Sequence, residues 1–230
     1  MRITLDDLFL DREHWSLYAR GIFTEGIHLV NGNTGSGKST LALLLAGLLQ
    51  PSCGIVQREQ IDSLMVSFQF PEYHVTGTTI REECLSWGID PTAILPKINL
   101  AGNEDLSPLR LSRGELKRLH LACVLANPYD LLILDEPFCS LDCIEKERIC
   151  QEISSRRKGI TIIFTHEQEY FPRIDYIWEI ENGTLFYRGT LPGAFGVWKN
   201  VPEHVKILID RGKIPCNLTP DDLLEAACRT

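Results

Sequence analysis

Gly32-Asn33-Thr34-Gly35-Ser36-Gly37-Lys38-Ser39 decides how this chain of 230 residues is to be read. The run fits G-x-x-x-x-G-K-[ST] in full, follows a strand-like segment at 26–30 and opens a helix-like segment at 38–49 that Pro51 stops. Glycines let the backbone wrap closely around phosphates. Backbone N–H groups and the helix N-terminus supply partial positive charge there. Lys38 is expected to reach the β- and γ-phosphates of a nucleotide and the Ser39 hydroxyl to ligate Mg²⁺, with Asn33, Thr34, Gly35, Ser36, Gly37 and Thr40 completing the cradle.

Downstream, Leu131-Leu132-Ile133-Leu134 is a continuous apolar run, as in a strand buried on both faces, and it ends in Asp135-Glu136. Beside a phosphate loop, this pattern assigns Asp135 to Mg²⁺, through water, and Glu136 to the attacking water as general base. Further strands are expected at 3–10, within 22–30, at 63–70 and at 160–164, and helices at 78–87, 111–126 and 142–157. The segments 176–180 and 184–187 flank Asn182-Gly183, a hairpin signal. Strands alternating with helices predict an α/β fold with a mostly parallel sheet. A helical lobe at about 72–120 interrupts a main domain spanning 1–190, and a short helical tail occupies 191–230. Two helices are expected in that tail, one from Pro202 to Gly212 and one capped by Thr219, with Pro220 at its first position and acids in its first turn.

Net charge is −8 and the pI is about 5.3, which argues against phosphate-neutralising contact with nucleic acid. No run reaches the ~18 apolar residues of a spanning helix, and Met1-Arg2-Ile3-Thr4-Leu5-Asp6-Asp7 carries acids where a secretory leader would be apolar. The expectation is a cytoplasmic protein whose membrane role runs through partners. The eight cysteines form no CxxC pair. Cys139, Cys143 and Cys150 fit no common zinc spacing and read as small apolar fillers.

With these two motifs in place, the chain resembles the ATP-binding-cassette family over about residues 1–190. Phe68-Gln69-Phe70-Pro71-Glu72 looks like its Q-loop, Leu111-Ser112-Arg113-Gly114-Glu115 stands where its LSGGQ signature belongs, Ser140-Leu141-Asp142 looks like its D-loop, and His166 looks like its switch histidine. The resemblance implies a P-loop NTPase (RecA-like) fold and ATP hydrolysis with Mg²⁺. It implies that Gln69 contacts metal and nucleophilic water, and that His166 contacts the γ-phosphate. Two cassettes, identical or different, would pair head to tail so that Ser112 and Gly114 meet the ATP of the opposing subunit. Arg113 and Glu115 depart from the signature, replacing its first glycine and its glutamine; the site they complete is expected to be slow. An aromatic from the first strand region should stack on adenine. Phe9, Trp15 and Tyr18 compete for that role, with Trp15 preferred.

The Q-loop, Thr79-Ile80-Arg81-Glu82-Glu83, Gly189-Thr190-Leu191-Pro192 and the tail resemble the energy-coupling-factor branch, whose ATPases drive uptake of vitamins and metal ions through integral membrane subunits. In that branch the tail helps pair the ATPases, and a groove over residues 70–82 would receive a coupling helix. Other transport cassettes, a soluble cassette acting on DNA or ribosomes, and a weakly hydrolysing regulatory half are the competing readings.

Overall fold

The computed structural model describes residues 1–156 and 158–228. It holds one nine-stranded sheet in the order β4-β1-β2-β9-β8-β3-β7-β6-β5, with β1 at Arg2–Arg12, β2 at Trp15–Thr24, β3 at Gly26–Gly32, β4 at Cys53–Glu59, β5 at Leu64–Ser67, β6 at Leu131–Asp135, β7 at Ile160–Thr165, β8 at Tyr176–Glu181 and β9 at Thr184–Thr190. The strands β8-β3-β7-β6-β5 run parallel, while β4-β1-β2 and the β8–β9 hairpin pair antiparallel. This is the mostly parallel α/β sheet expected, extended by an antiparallel flank. Every residue of β6 and β7 is buried, so each large aliphatic there contributes roughly 1.5–3 kcal/mol of burial.

The helices are α1 at Lys38–Ala46, α2 at Ile80–Ser86, α3 at Pro91–Ile94, α4 at Arg113–Leu125, α5 at Cys143–Ser154, α6 at Glu203–Asp210 and α7 at Pro220–Cys228. One apolar cluster joins α1 to β1, β2 and one face of the central strands. A second, on the other face, gathers α5, Leu121 and Val124 of α4, and Phe195, Trp198, Val205 and Leu218. A third holds Ile80, Cys84, Leu95, Ile98 and Leu100 against Leu119, Ala122 and Cys123 of α4. Helix α4 therefore serves two clusters with two faces. The C-terminal segment packs on the main body: Ile174 donates its N–H to Asn217 Oδ1 (2.9 Å), and Asn217 Nδ2 donates to the Ile174 carbonyl (2.7 Å).

Several expectations need correction. Helix α1 stops at Ala46, because Gly47 takes a left-handed φ of 77° and its N–H caps the Leu43 and Leu44 carbonyls, well before Pro51. Residues 22–30 belong to two strands, β2 and β3, which part between Thr24 and Gly26. Strand β4 escaped the sequence because it is an edge strand with almost no buried side chain and hence no alternation. Helix α5 ends at Ser154; the expected end at Arg157 lies outside the described residues, as do Arg229 and Thr230 of the tail. Cys143 is exposed and Cys139 half-buried, so only Cys150 of that trio is a filler. The hairpin turn is as expected, with Asn182 and Gly183 at φ 47° and 72°. No helix among the described residues is long and apolar enough to cross a membrane.

Candidate nucleotide site

The loop from Gly32 to Gly37 links β3 to α1, with Gly35 and Gly37 at φ 79° and 106°. Those angles, open to glycine, wind the backbone tightly into the start of α1, with the Ser36 N–H donating to the Asn33 carbonyl inside the loop (3.1 Å). Lys38, 7% exposed, folds back under the loop, and its Nζ donates to the Gly32 carbonyl (2.7 Å) and the Asn33 carbonyl (3.1 Å). Burial lowers its pKa, and the neighbouring Glu136 and Asp135 oppose that shift.

Glu136 is held from several sides in the cleft. Its backbone N–H donates to the Phe164 carbonyl (2.8 Å), with φ at 48°. A non-glycine residue in that region carries strain of order 1–3 kcal/mol, a frequent mark of a functional position. Its carboxylate accepts from Thr165 Oγ1 (3.0 Å), lies 2.7 Å from His166 Nδ1, and stands 4.0 Å from Lys38 Nζ. Beside a carboxylate acceptor, Nδ1 is the protonated nitrogen of that ring. Asp135 is buried behind it. Burial raises its pKa, while a hydrogen bond from Ser39 lowers it. Asp135 Oδ1 has no protein hydrogen-bond partner. A buried unpartnered carboxylate oxygen beside a serine hydroxyl fits the hard-cation chemistry of Mg²⁺.

One cleft is lined by Trp15, Thr34, Gly35, Gly37, Lys38, Ser39, Thr40, Gln69, Glu136 and His166. The structure thus brings together most of the residues the sequence singled out, from five separate stretches of chain. Asn33 and Ser36 line an adjoining cleft that shares Trp15, Thr34 and Gly35. Of the aromatic candidates, only Trp15 reaches the loop: its indole packs directly on Gly37, where any Cβ would collide with it. Tyr18 instead donates to Asp7 Oδ1 (2.6 Å).

Ser112 and Gly114 do not join this cleft; they line a separate one with Ser140, Leu141 and Asp142. Ser112 caps α4, and its hydroxyl donates to Glu115 Oε2 (2.6 Å), while the Glu115 N–H returns to Ser112 Oγ (3.3 Å). The bonds from the Ser112 hydroxyl and N–H hold the Glu115 carboxyl below its ordinary range. Gly114 sits so close to the Ser140 carbonyl that a Cβ would stand 2.8 Å from it.

Sequence reasoning missed two residues. Thr165 bonds both Glu136 and the Glu167 N–H; its only sequence signal is its place before His166. Lys117, 1% exposed, carries a buried ammonium whose pKa burial pushes down to about 8, with Cys139, Asp135, Glu136 and Glu72 opposing.

A phosphate-cradling loop at the carboxyl end of β3, with carboxylates from β6 and a histidine after β7 facing it, places the molecule among the P-loop NTPases. The ABC transporter family profile matches residues 21–139, and the chain belongs to that family as an ATP-binding ATPase. It is 34% identical over 191 residues to the energy-coupling factor transporter ATP-binding protein EcfA1 of Thermotoga maritima, covering 73% of this chain and 72% of that protein. It is 33% identical to EcfA2 of Bacillus cereus (80% of this chain, 73% of that protein) and 28% identical to EcfA2 of Thermotoga maritima (88% and 86%). The solved structure of an ATP-binding cassette of an ABC transporter superposes with a TM-score of 0.65 at 18% identity, over 85% of this chain and 94% of that one; this likeness bears on the fold.

Proposed function

We propose that this chain is the ATPase subunit of an uptake transporter of the energy-coupling-factor type, hydrolysing Mg-ATP within a head-to-tail pair of cassettes bound to integral membrane subunits. The observation that carries the catalytic part is the placement of Glu136, strained and held by Thr165 and His166, at the rim of the loop that Lys38 underlies.

Lys38 and the loop N–H groups bind the phosphates, and Trp15 stacks on adenine. Ser39, Asp135 and Gln69 hold Mg²⁺, which when bound neutralises charge on the transferring phosphoryl group. Glu136 accepts the proton of the attacking water, and His166 moves from Glu136 toward the γ-phosphate. Ser112 and Gly114 complete the partner's site. Residues 1–190 form the ATPase domain, with the helical lobe at about 72–120. The tail serves pairing, consistent with the exposed Ile207, Ile214 and Leu224 on and between its helices. Phe70 and Tyr73, 47% and 76% exposed beside Gln69, supply an apolar face for a membrane subunit. Residence at the inner face of the cell membrane follows from those partners.

The test pairs two measurements. Glu136→Gln should retain ATP binding and lose steady hydrolysis by ~100-fold or more, and Lys38→Ala should lose ATP binding. Tagged Glu136→Gln protein, purified with Mg-ATP from gently solubilised native membranes, should bring down integral membrane proteins. Recovery of only soluble partners, DNA or ribosomes overturns the transport reading.

One observation favours a second reading, a weakly hydrolysing half of an unequal pair. The Ser112 hydroxyl, which the opposing γ-phosphate needs as a donor, already donates to a carboxylate of its own chain.

A further inference from the structure

Lys117 lies on α4 two residues past Glu115, nearly inaccessible, and its Nζ donates to the backbone carbonyls of Phe68 (3.4 Å) and Gln69 (3.2 Å). Among the described residues no carboxylate stands within 4.0 Å of its ammonium, although Asp135, Glu136 and Glu72 favour the charge from further off. Burying an ammonium on neutral acceptors is costly, and an aliphatic side chain of similar length would avoid that cost. Packing alone therefore does not call for a lysine at this position.

Its surroundings show what it grips. One turn further along α4, His120 Nε2 lies 2.9 Å from Ser67 Oγ, and its ring stacks on His74 at 4.4 Å. His74 Nε2 accepts the Phe68 N–H (3.0 Å), and its ring stacks on Phe68. Lys117 and His120, three apart and so on one helical face, thus hold the segment from Ser67 to His74 from below, while Gln69 lines the nucleotide cleft. The same helix begins at Ser112 and meets the Ser140 carbonyl through Gly114.

We infer that Lys117 is a positioning residue: its ammonium, bonded to the two carbonyls, couples the signature helix to Gln69 and sets where that side chain stands over the nucleotide. The inference rests on the proposed ATPase reading for its kinetic part alone. Lys117→Met should lower kcat by ~10-fold or more while KM for ATP stays within about threefold, because the contact orients a reacting-site group without adding uniform binding. Its melting temperature should hold or rise, and Lys117→Arg, which keeps the charge and donors, should recover most of the lost kcat.

The second readout needs no hydrolysis. Hydrogen exchange of the nucleotide-free protein should show the amides of residues 68–74 exchanging about tenfold faster in Lys117→Met than in wild type, with β6 and β7 unchanged. Should Lys117→Met fail to fold, Lys117→Gln is read in the same assays. A kcat within twofold of wild type, a loss of kcat that Lys117→Arg does not recover, or unchanged exchange at 68–74 overturns the inference. An inactive wild type with the expected exchange change overturns the ATPase reading and leaves the coupling standing.

Discussion

Trp15 illustrates how little room single residues have in this cleft. Its indole rests on Gly37, so the aromatic wall and the phosphate loop form one surface. Trp15→Ala should weaken ATP binding about 5- to 150-fold, the ~1–3 kcal/mol lost with other base-stacking aromatics, whereas Trp15→Phe should keep most of it; a titration with fluorescent ATP distinguishes the two, and equal binding by all three proteins removes Trp15 from the adenine role. Among Phe9, Trp15 and Tyr18 the sequence supports only a leaning to Trp15, because all three lie within one strand pair and the packed structure shows which ring meets the loop. The placement of Lys38 and Ser39 at the cleft was legible for the opposite reason. That placement depends on neighbours in the chain, which a motif records. Thr165 and Lys117 act on Glu136 and Gln69 from distant stretches, and no local spacing announces that.

At the scale of elements, the N-terminus of α4 carries the sharpest consequences. The capping box formed by Ser112 and Glu115 stabilises the helix while engaging the hydroxyl that the proposed head-to-tail pair would offer to the opposing nucleotide. Arg113→Gly combined with Glu115→Gln should therefore raise turnover about threefold or more, measured as steady-state phosphate release from the dimer. No change in rate, with dimerisation intact, would sink the idea. Gly114→Ala should act in the other direction. A Cβ 2.8 Å from the Ser140 carbonyl must push the D-loop away, so turnover should fall about tenfold while ATP still binds the chain's own loop; retained activity would show that the two segments separate easily. The elements themselves were legible where a local signal is strong: the unbroken apolar runs of β6 and β7, the helical period of α4 and the Asn182-Gly183 turn. They were illegible where tertiary contact replaces pattern. In β2, Gly21 interrupts the strand signal because a Cβ there would sit 2.7 Å from the Trp178 ring; in β4, exposure on the sheet edge erases alternation.

For the whole molecule, pH should act through the sheet's centre. His28 is fully buried; its Nε2 lies 2.7 Å from the Thr24 carbonyl and its Nδ1 accepts the Trp178 indole N–H (3.0 Å), so the neutral ring satisfies both nitrogens. Burial pushes its pKa down to about 4 from an ordinary value of 6.5. A base with a depressed folded pKa favours the fold above its unfolded pKa, and that advantage is lost as pH falls toward the folded value. Stability should thus decline between about pH 6.5 and 4, by on the order of 3 kcal/mol for this group. Melting curves across that range should show it, and His28→Gln should flatten the slope; an unaltered slope assigns acid sensitivity elsewhere. The double allegiance of α4, with Leu121 and Val124 in one cluster and Leu119, Ala122 and Cys123 in another, bears on modularity. Excising the residues before α4 strips one apolar side of that helix bare, and taking the helix along strips the sheet instead. The inserted segment is therefore not a cartridge that can be lifted out or exchanged intact, and a graft between related proteins must carry α4 together with both surfaces it seals.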